Sequence, residues 1–374
     1  MIILNRLSIK ILLLITLSFL ILIGMGLFVY HHFIKWGVYD IEHVIEAVEK
    51  NGLNLRFAAD ELRNDPKIVG IAIKQNGAAL EFASSVLKND SEIVKHAVSQ
   101  NGWELQYASA NLQNHPEIVS LAIEKNGYAL KFASLALRND PDIVKLAVKK
   151  NGWALEYASA ERRDDPDIVK LAIQQDGLAL EFASDKFKNH REIVTLAVQQ
   201  NGLALDYASK ELKRDPEIVK LALRQNGQAL VVVPDEDQTR EIVMVAIEQD
   251  GKALRYVGRE LLKDPEIVRI AVQTYGQALK FTNDSELQND REIVMFAVQQ
   301  DGRALRFLLD ELQNDREIVS LAVQQNGLAL KYASNDLRND RQIVKIAIQQ
   351  NPSAVEFASD ELRRDLEIVQ LLNH

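Results

Sequence analysis

The sequence predicts an all-α protein: an α-solenoid of tandem 25-residue helical repeats preceded by one transmembrane helix. Three observations lead there. Glycines recur every 25 residues from Gly52 to Gly227 and continue at Gly251, Gly276, Gly302 and Gly327, with Pro352 in the next slot. Asp-Pro or Asp-Arg pairs recur in step with them, as at Asp65-Pro66, Asp140-Pro141 and Asp290-Arg291. Residues Ile11 to Tyr30 form an uncharged, largely Leu/Ile run. Twelve of the 17 glycines and six of the 8 prolines fall in the repeat columns, so these residues punctuate a regular architecture.

The N-terminal segment comes first. At about 1.5 Å per residue the apolar run is long enough for a hydrocarbon core of roughly 30 Å. It exceeds the apolar core of a cleaved signal peptide, and Gly24-Met25-Gly26-Leu27 offers no cleavage site, which favours an uncleaved signal anchor. Arg6 and Lys10 precede the run and Lys35 follows it. The positive-inside rule then predicts a single-pass protein with a cytoplasmic N-terminal tail (1–10), a span (11–30), a juxtamembrane linker (31–39) and a repeat domain (40–374) outside the cytoplasm. The lipid bilayer is thereby one expected partner.

Residues 1–39 carry three basic groups and no acid, whereas the remainder holds 41 Lys/Arg against 53 Asp/Glu, a net charge of −12. So acidic a domain lacks the field that neutralises phosphates, and no nucleic-acid partner is expected. With no cysteine there is no disulfide framework, thiolate metal site or thiol nucleophile.

Within one unit, Asp reads as the N-cap of a helix and Pro as its first residue. The helix body is Ile-Val-x-x-Ala-Val, as in Ile193-Val194 and Ala197-Val198, with apolar residues on two sides. Asn-Gly eleven residues after the Asp predicts a C-terminal stop with a left-handed glycine. A second helix of about two turns follows, such as Ala179-Leu180-Glu181-Phe182-Ala183-Ser184, and its Ser caps a further turn. A helix that short is not stable alone, so each unit must bury its apolar face against its neighbours.

The repeated pattern, seen in Asn201-Gly202-Leu203-Ala204-Leu205-Asp206-Tyr207-Ala208-Ser209, resembles that of the family called Domain of Unknown Function 4116. The resemblance covers about residues 40–374. It implies tandem helical repeats, often in bacteria that live inside protist hosts, and hence a bacterial inner membrane for the anchor. It implies no activity and does not account for the membrane anchor.

No H-E-x-x-H, P-loop, G-x-S-x-G or dinucleotide-binding motif is present, and the Asn-Asp pairs lack the ligand series of a calcium loop. No catalytic residue, metal or cofactor is therefore expected, and the function predicted is a non-enzymatic scaffold binding a protein or peptide. His115 and His190 stand in the Asp cap column, where a structural role is expected. Three surface columns are candidates for the partner. One is a Gln column that includes Gln175, Gln200 and Gln225, whose amides can bond an extended peptide or simply favour the helix. The second follows the glycine and holds Trp103, Tyr128 and Trp153, either a partner anchor or a cover for the next turn. The third lies four residues after the glycine, acidic at Glu156, Glu181 and Asp206 and basic at Arg255, Lys280, Arg306 and Lys331. The sign changes at a degenerate unit, Val231 to Asp237, and Tyr275 replaces Asn in a later one. Residues 228–310 are thus a specialised segment or one of mere drift. The rival functions are an enzyme or effector with its site in that segment, and a passive spacer.

Overall fold

A computed structural model describes residues 41–282 and 284–372. The predicted tail, membrane span and linker lie outside the described residues. Among the described residues no helix is long and apolar enough to cross a membrane. These residues are helical, in units of one ten-residue α-helix, one six-residue 3-10 helix and a short third turn. Pro66–Gln75, Gly77–Phe82 and Leu87–Asn89 make up one such unit. Thirteen ten-residue helices occur, the first being Ile41–Lys50 and the last Arg341–Gln350, followed by Leu366–Leu371. The chain divides into two compact units at Ser159 and Ala160.

Most of the ten-residue α-helices begin as the capping chemistry dictates. The Asp65 side chain accepts hydrogen bonds from the backbone N–H groups of Lys67 (2.8 Å) and Ile68 (3.2 Å), two donors with no intrahelical acceptor. Asp140, Asp215 and Asp315 do the same. His115 and His190 occupy the cap position but make no capping bond with the side chain. The buried set is Ile, Val, Ala and Val or Ile, for example Ile168, Val169, Ala172 and Ile173, all fully buried.

Asn-Gly works differently from the prediction. No described residue has a positive φ, glycine included. Asn76 is extended (φ −153°, ψ 113°), and its side chain accepts from Ala78 N–H at 3.0 Å. It is the N-cap of the next element, which is a 3-10 helix and not the α-helical pair of turns expected. Ala79 N–H donates to the Asn76 carbonyl at 2.9 Å, the tighter i to i+3 pattern.

The glycine is required by close approach. A β-carbon built on Gly302 would stand 2.2 Å from the carbonyl oxygen of Ala322 in the following unit, and one on Gly202 would stand 2.3 Å from that of Ala222. The same clash meets every repeat glycine from Gly177 onward in the second unit, and Gly52, Gly77, Gly102 and Gly127 in the first. The facing Ala is fully buried each time, as at Ala97, Ala122 and Ala347. Pro352 is the exposed exception, and Leu372 stands where its facing Ala would be. Pro352 nevertheless opens a complete 3-10 helix, capped by Asn351.

Gly302→Ala should lower stability by about 1–3 kcal/mol, the range for forcing atoms into a packed contact. Gly70, inside Pro66–Gln75, has nothing within 4 Å of a built β-carbon. Gly70→Ala should therefore raise stability by roughly 0.5–1 kcal/mol. Urea midpoints of the two variants, measured side by side, check the contrast.

Candidate functional site

The surface that carries the candidate residues is made by the 3-10 helices and their Asn caps. The Gln column lies at its edge and uses its amides within the stack. Gln225 accepts from Gly202 N–H at 2.5 Å and donates to the Gln200 carbonyl at 3.2 Å. Gln325 accepts from Gly302 N–H at 2.7 Å and donates to the Gln300 carbonyl at 3.3 Å. Gln75, Gln100, Gln249, Gln300 and Gln350 likewise accept from the preceding repeat glycine. At those positions the amide joins one repeat to the next and its oxygen is already engaged. Gln200 packs against Gly177 through its β-carbon, and Gln175 ends the helix Pro166–Gln175.

A second seam uses Ser. Ser134 N–H donates to the Gln113 carbonyl at 2.9 Å, and its hydroxyl lies 2.5 Å from Asn114 Oδ1 while capping Leu137 N–H at 3.3 Å. Ser84, Ser109, Ser209, Ser334 and Ser359 repeat the hydroxyl bond to the preceding unit. The segment 228–310 breaks this ladder. Pro234 has no N–H to give, and Leu309 has no hydroxyl. Gln238 repairs part of the loss: buried, it accepts from Gly258 N–H at 2.9 Å and donates to the carbonyls of Val233 and Tyr256. Asp284 replaces Ser as the cap of Ser285–Asn289.

Where Arg replaces Pro after the cap, it reaches the next cap. Arg191 pairs with Asp215, Arg291 with Asp315 and Glu317, and Arg341 with Asp365 and Glu367. The Arg191 guanidinium beside Asp215 holds its carboxyl below the usual carboxylate range, against a smaller opposing effect of burial. Arg291 does the same to Asp315.

The charge column four residues after the glycine sits against rings. Lys280 lies over Phe281 (4.8 Å) and over Phe307 of the next unit (5.9 Å), and Arg255 over Tyr256 (5.0 Å) and Phe281 (6.0 Å). Lys331 over Phe357 and Arg56 over Phe57 extend the pattern. Burial raises the Tyr207 hydroxyl, and a hydrogen bond to Glu181 of the preceding unit raises it further.

Trp103 and Tyr128 are brought together. Their ring centroids lie 6.4 Å apart, Trp103 meets Phe132 edge-on at 5.3 Å, and Tyr128 meets Tyr157 edge-on at 6.1 Å. Trp103 is 36% exposed, and Tyr128 and Trp153 are half-buried. In the second unit, Tyr275 makes no capping bond and its ring lies under the ammonium groups of Lys252 (5.5 Å) and Lys280 (5.7 Å). It opens a surface groove of about 550 Å³ that continues past Asp301, Arg303 and Gln325.

One residue escaped sequence reasoning. Two positions after the glycine stands Ala in eleven units, from Ala79 to Ala354, but Asn54 in one and Glu104 in another. Glu104 is 6% exposed. Its Oε1 accepts from Asn101 Nδ2 at 3.1 Å, and its Oε2 is shielded with no hydrogen-bond partner. Burial pushes this carboxyl above its ordinary range, the Asn101 bond opposes, and the charge of Glu81 adds to the rise. The interrupted Ala column was the available signal.

A seam-bonded stack of helical pairs with an interrupted surface defines a tandem helical-repeat protein. The family described as Domain of unknown function (DUF4116) matches residues 40–85, 68–113, 115–163, 165–213, 190–238, 239–288, 278–313, 315–363 and 340–371. The chain belongs to that family. No curated protein matches it.

Gln325→Ala leaves Gly302 N–H unpaired and should cost about 1–3 kcal/mol, read as a shift of the urea midpoint. The Arg–Asp pairs set an acid dependence. Asp215 and Asp315 titrate lower folded than unfolded, so their contribution is complete above the ordinary value of 3.8 and is lost as pH falls through the folded value. The midpoint of the native chain should thus fall more steeply below pH 3.8 than that of Arg191→Ala with Arg291→Ala.

Proposed function

We propose that the protein is a membrane-anchored, non-enzymatic repeat scaffold that binds a protein or peptide partner through its 3-10 helix surface. The observation that carries this reading is the ring row Trp103–Tyr128 with Phe132 and Tyr157. Trp and Tyr concentrate binding energy where they are partly exposed beside other rings. The core of each repeat is complete without that row, since the buried Ile, Val, Ala and Leu set recurs in units that hold Leu203 or Arg303 in the Trp103 slot. The groove beside Tyr275 offers a second contact in the other unit. The anchor rests on the length and the lack of charge of Ile11–Tyr30. With the N-terminus in the cytoplasm, the partner is met on the other side of a bacterial inner membrane.

A photo-crosslinking residue at exposed Gln106 should capture one defined partner segment. Trp103→Ala combined with Tyr128→Ala should cut the yield by about tenfold or more. An unchanged yield overturns the reading. Protease treatment of spheroplasts, with the inner membrane intact, should degrade residues 40–374; protection of the repeats until that membrane is lysed places them in the cytoplasm and removes the proposed orientation.

A further inference from the structure

Four consecutive 3-10 helices in the second compact unit differ in charge from the acidic domain that holds them. Gly251–Tyr256, Gly276–Phe281, Gly302–Phe307 and Gly327–Tyr332 carry Lys252, Arg255, Lys280, Arg303, Arg306 and Lys331 and no acid. All six cations are exposed. Arg303 pairs with the cap Asp301 at 3.1 Å. Among the described residues the other five have no carboxylate partner and no protein acceptor for their side-chain donors. Asp250, the cap of the first of these helices, is engaged by Lys252 N–H at 2.9 Å and by Gln228 Nε2 at 2.8 Å. Rings set the cations in a row. Arg255 spans Tyr256 and Phe281, Lys280 spans Phe281 and Phe307, Arg306 lies over Phe307, and Lys331 spans Tyr332 and Phe357. A ring engages one side of a charged group and leaves its hydrogen-bond donors to other partners. Cations held this way lose little freedom when a ligand arrives.

We infer that this row receives an extended acidic segment of the partner, with a carboxylate at every third residue. The inference rests on the partner-binding reading and names the chemistry of its contact in the second unit. Packed helices of neighbouring repeats stand about 8–10 Å apart. A polyproline-type chain has three residues per turn and advances about 3.1 Å per residue, so every third side chain returns to the same side after about 9 Å. That step offers one carboxylate each to Arg255, Lys280, Arg306 and Lys331. A β-strand presents every second residue on one face, about 7 Å apart, and falls out of step. The backbone of the segment also finds donors beside the row. Asn326 and Asn351 use their Oδ1 atoms to cap Leu328 and Ser353, which leaves their amide NH2 groups for carbonyls in the groove they line with Arg303 and Tyr275. A nucleic acid is charged at every nucleotide and runs on into the acidic remainder of the domain, which repels it.

The test uses the full chain in detergent micelles and the fluorescence anisotropy of a dye-labelled peptide, Glu-Pro-Pro repeated four times, at physiological ionic strength. The peptide should bind, and its Gln-Pro-Pro counterpart should bind at least about tenfold more weakly. A peptide of the same composition with its glutamates in one block should bind about fivefold more weakly, because it cannot engage successive units together. Lys280→Gln combined with Arg306→Gln should weaken the spaced peptide by about tenfold. Lys67→Gln combined with Lys74→Gln removes the same charge at exposed positions outside the row and should leave binding unchanged. Equal binding of the Glu and Gln peptides, equal binding of the spaced and blocked peptides, or equal losses in the two double variants overturns the acidic-segment site. So does tighter binding of a single-stranded DNA 12-mer than of the spaced peptide. If the Trp103 and Tyr128 variants abolish the crosslink while the peptide does not bind, the acidic-segment site falls and partner binding stands. If the peptide binds in register while those variants leave the crosslink intact, the ring row falls and the basic row stands.

Discussion

Everything in the fold depends on one close approach, that of a repeat glycine to the carbonyl of an alanine in the next unit. A single methyl group at the glycine would stand 2.2–2.9 Å from that oxygen. With nothing there, the glycine N–H is near enough to reach the glutamine side chain of the same neighbouring helix, as Gly302 reaches Gln325 at 2.7 Å. Backbone therefore lies on backbone, and the apolar sides of the 3-10 helix and the α-helix close over it. A six-residue 3-10 helix has little stability of its own, so this seam is what holds it in place. Gly, Ala and Gln form one device: the first two permit the approach, and the third satisfies the donor that it buries.

The seam also explains how irregular units persist. In 228–310 the Ser ladder fails at Pro234 and Leu309, yet Gly251, Gly276 and Gly302 still meet Ala271, Ala297 and Ala322. Gln238 then closes the gap left by the missing hydroxyl by bonding Gly258 and two carbonyls. The unit is altered in its outer bonds and unaltered at the glycine. Such a segment tolerates replacement because each repeat interacts with its nearest neighbours, so a local loss stays local.

Legibility in the sequence followed the range of each interaction. Asp, Asn and Ser caps act on N–H groups two or three residues away, so Asp65, Asn76 and Ser134 could be read correctly as punctuation. Even there the direction was misread, because Asn-Gly ends one helix in the same residues that begin the next. The reason for the glycine was not legible, since the clashing oxygen is twenty residues on in Ala322 for Gly302. The engaged amides of the Gln column were hidden for the same reason, with partners about 23 residues apart. Of the candidate surface, the Trp103–Tyr128 pairing was legible as a 25-residue spacing. Phe132 and Tyr157 joined it only through packing, and Glu104 is visible in sequence only as one interruption of an Ala column.

This division of labour bears on how such a surface acquires a partner. The seam occupies the glycine, the alanine two residues later and the facing helix, which leaves the slots one and four residues after the glycine outside it. Those slots hold Trp103, Leu203 and Arg303, or Glu181 and Lys280, with no change in the buried set behind them. Residues there can be exchanged for recognition at little expense to folding. Glu104 differs in kind, for it puts a carboxylate into a slot that belongs to the interior. The resulting destabilisation falls on one unit among many with intact seams, and a stack held by nearest-neighbour contacts can carry it.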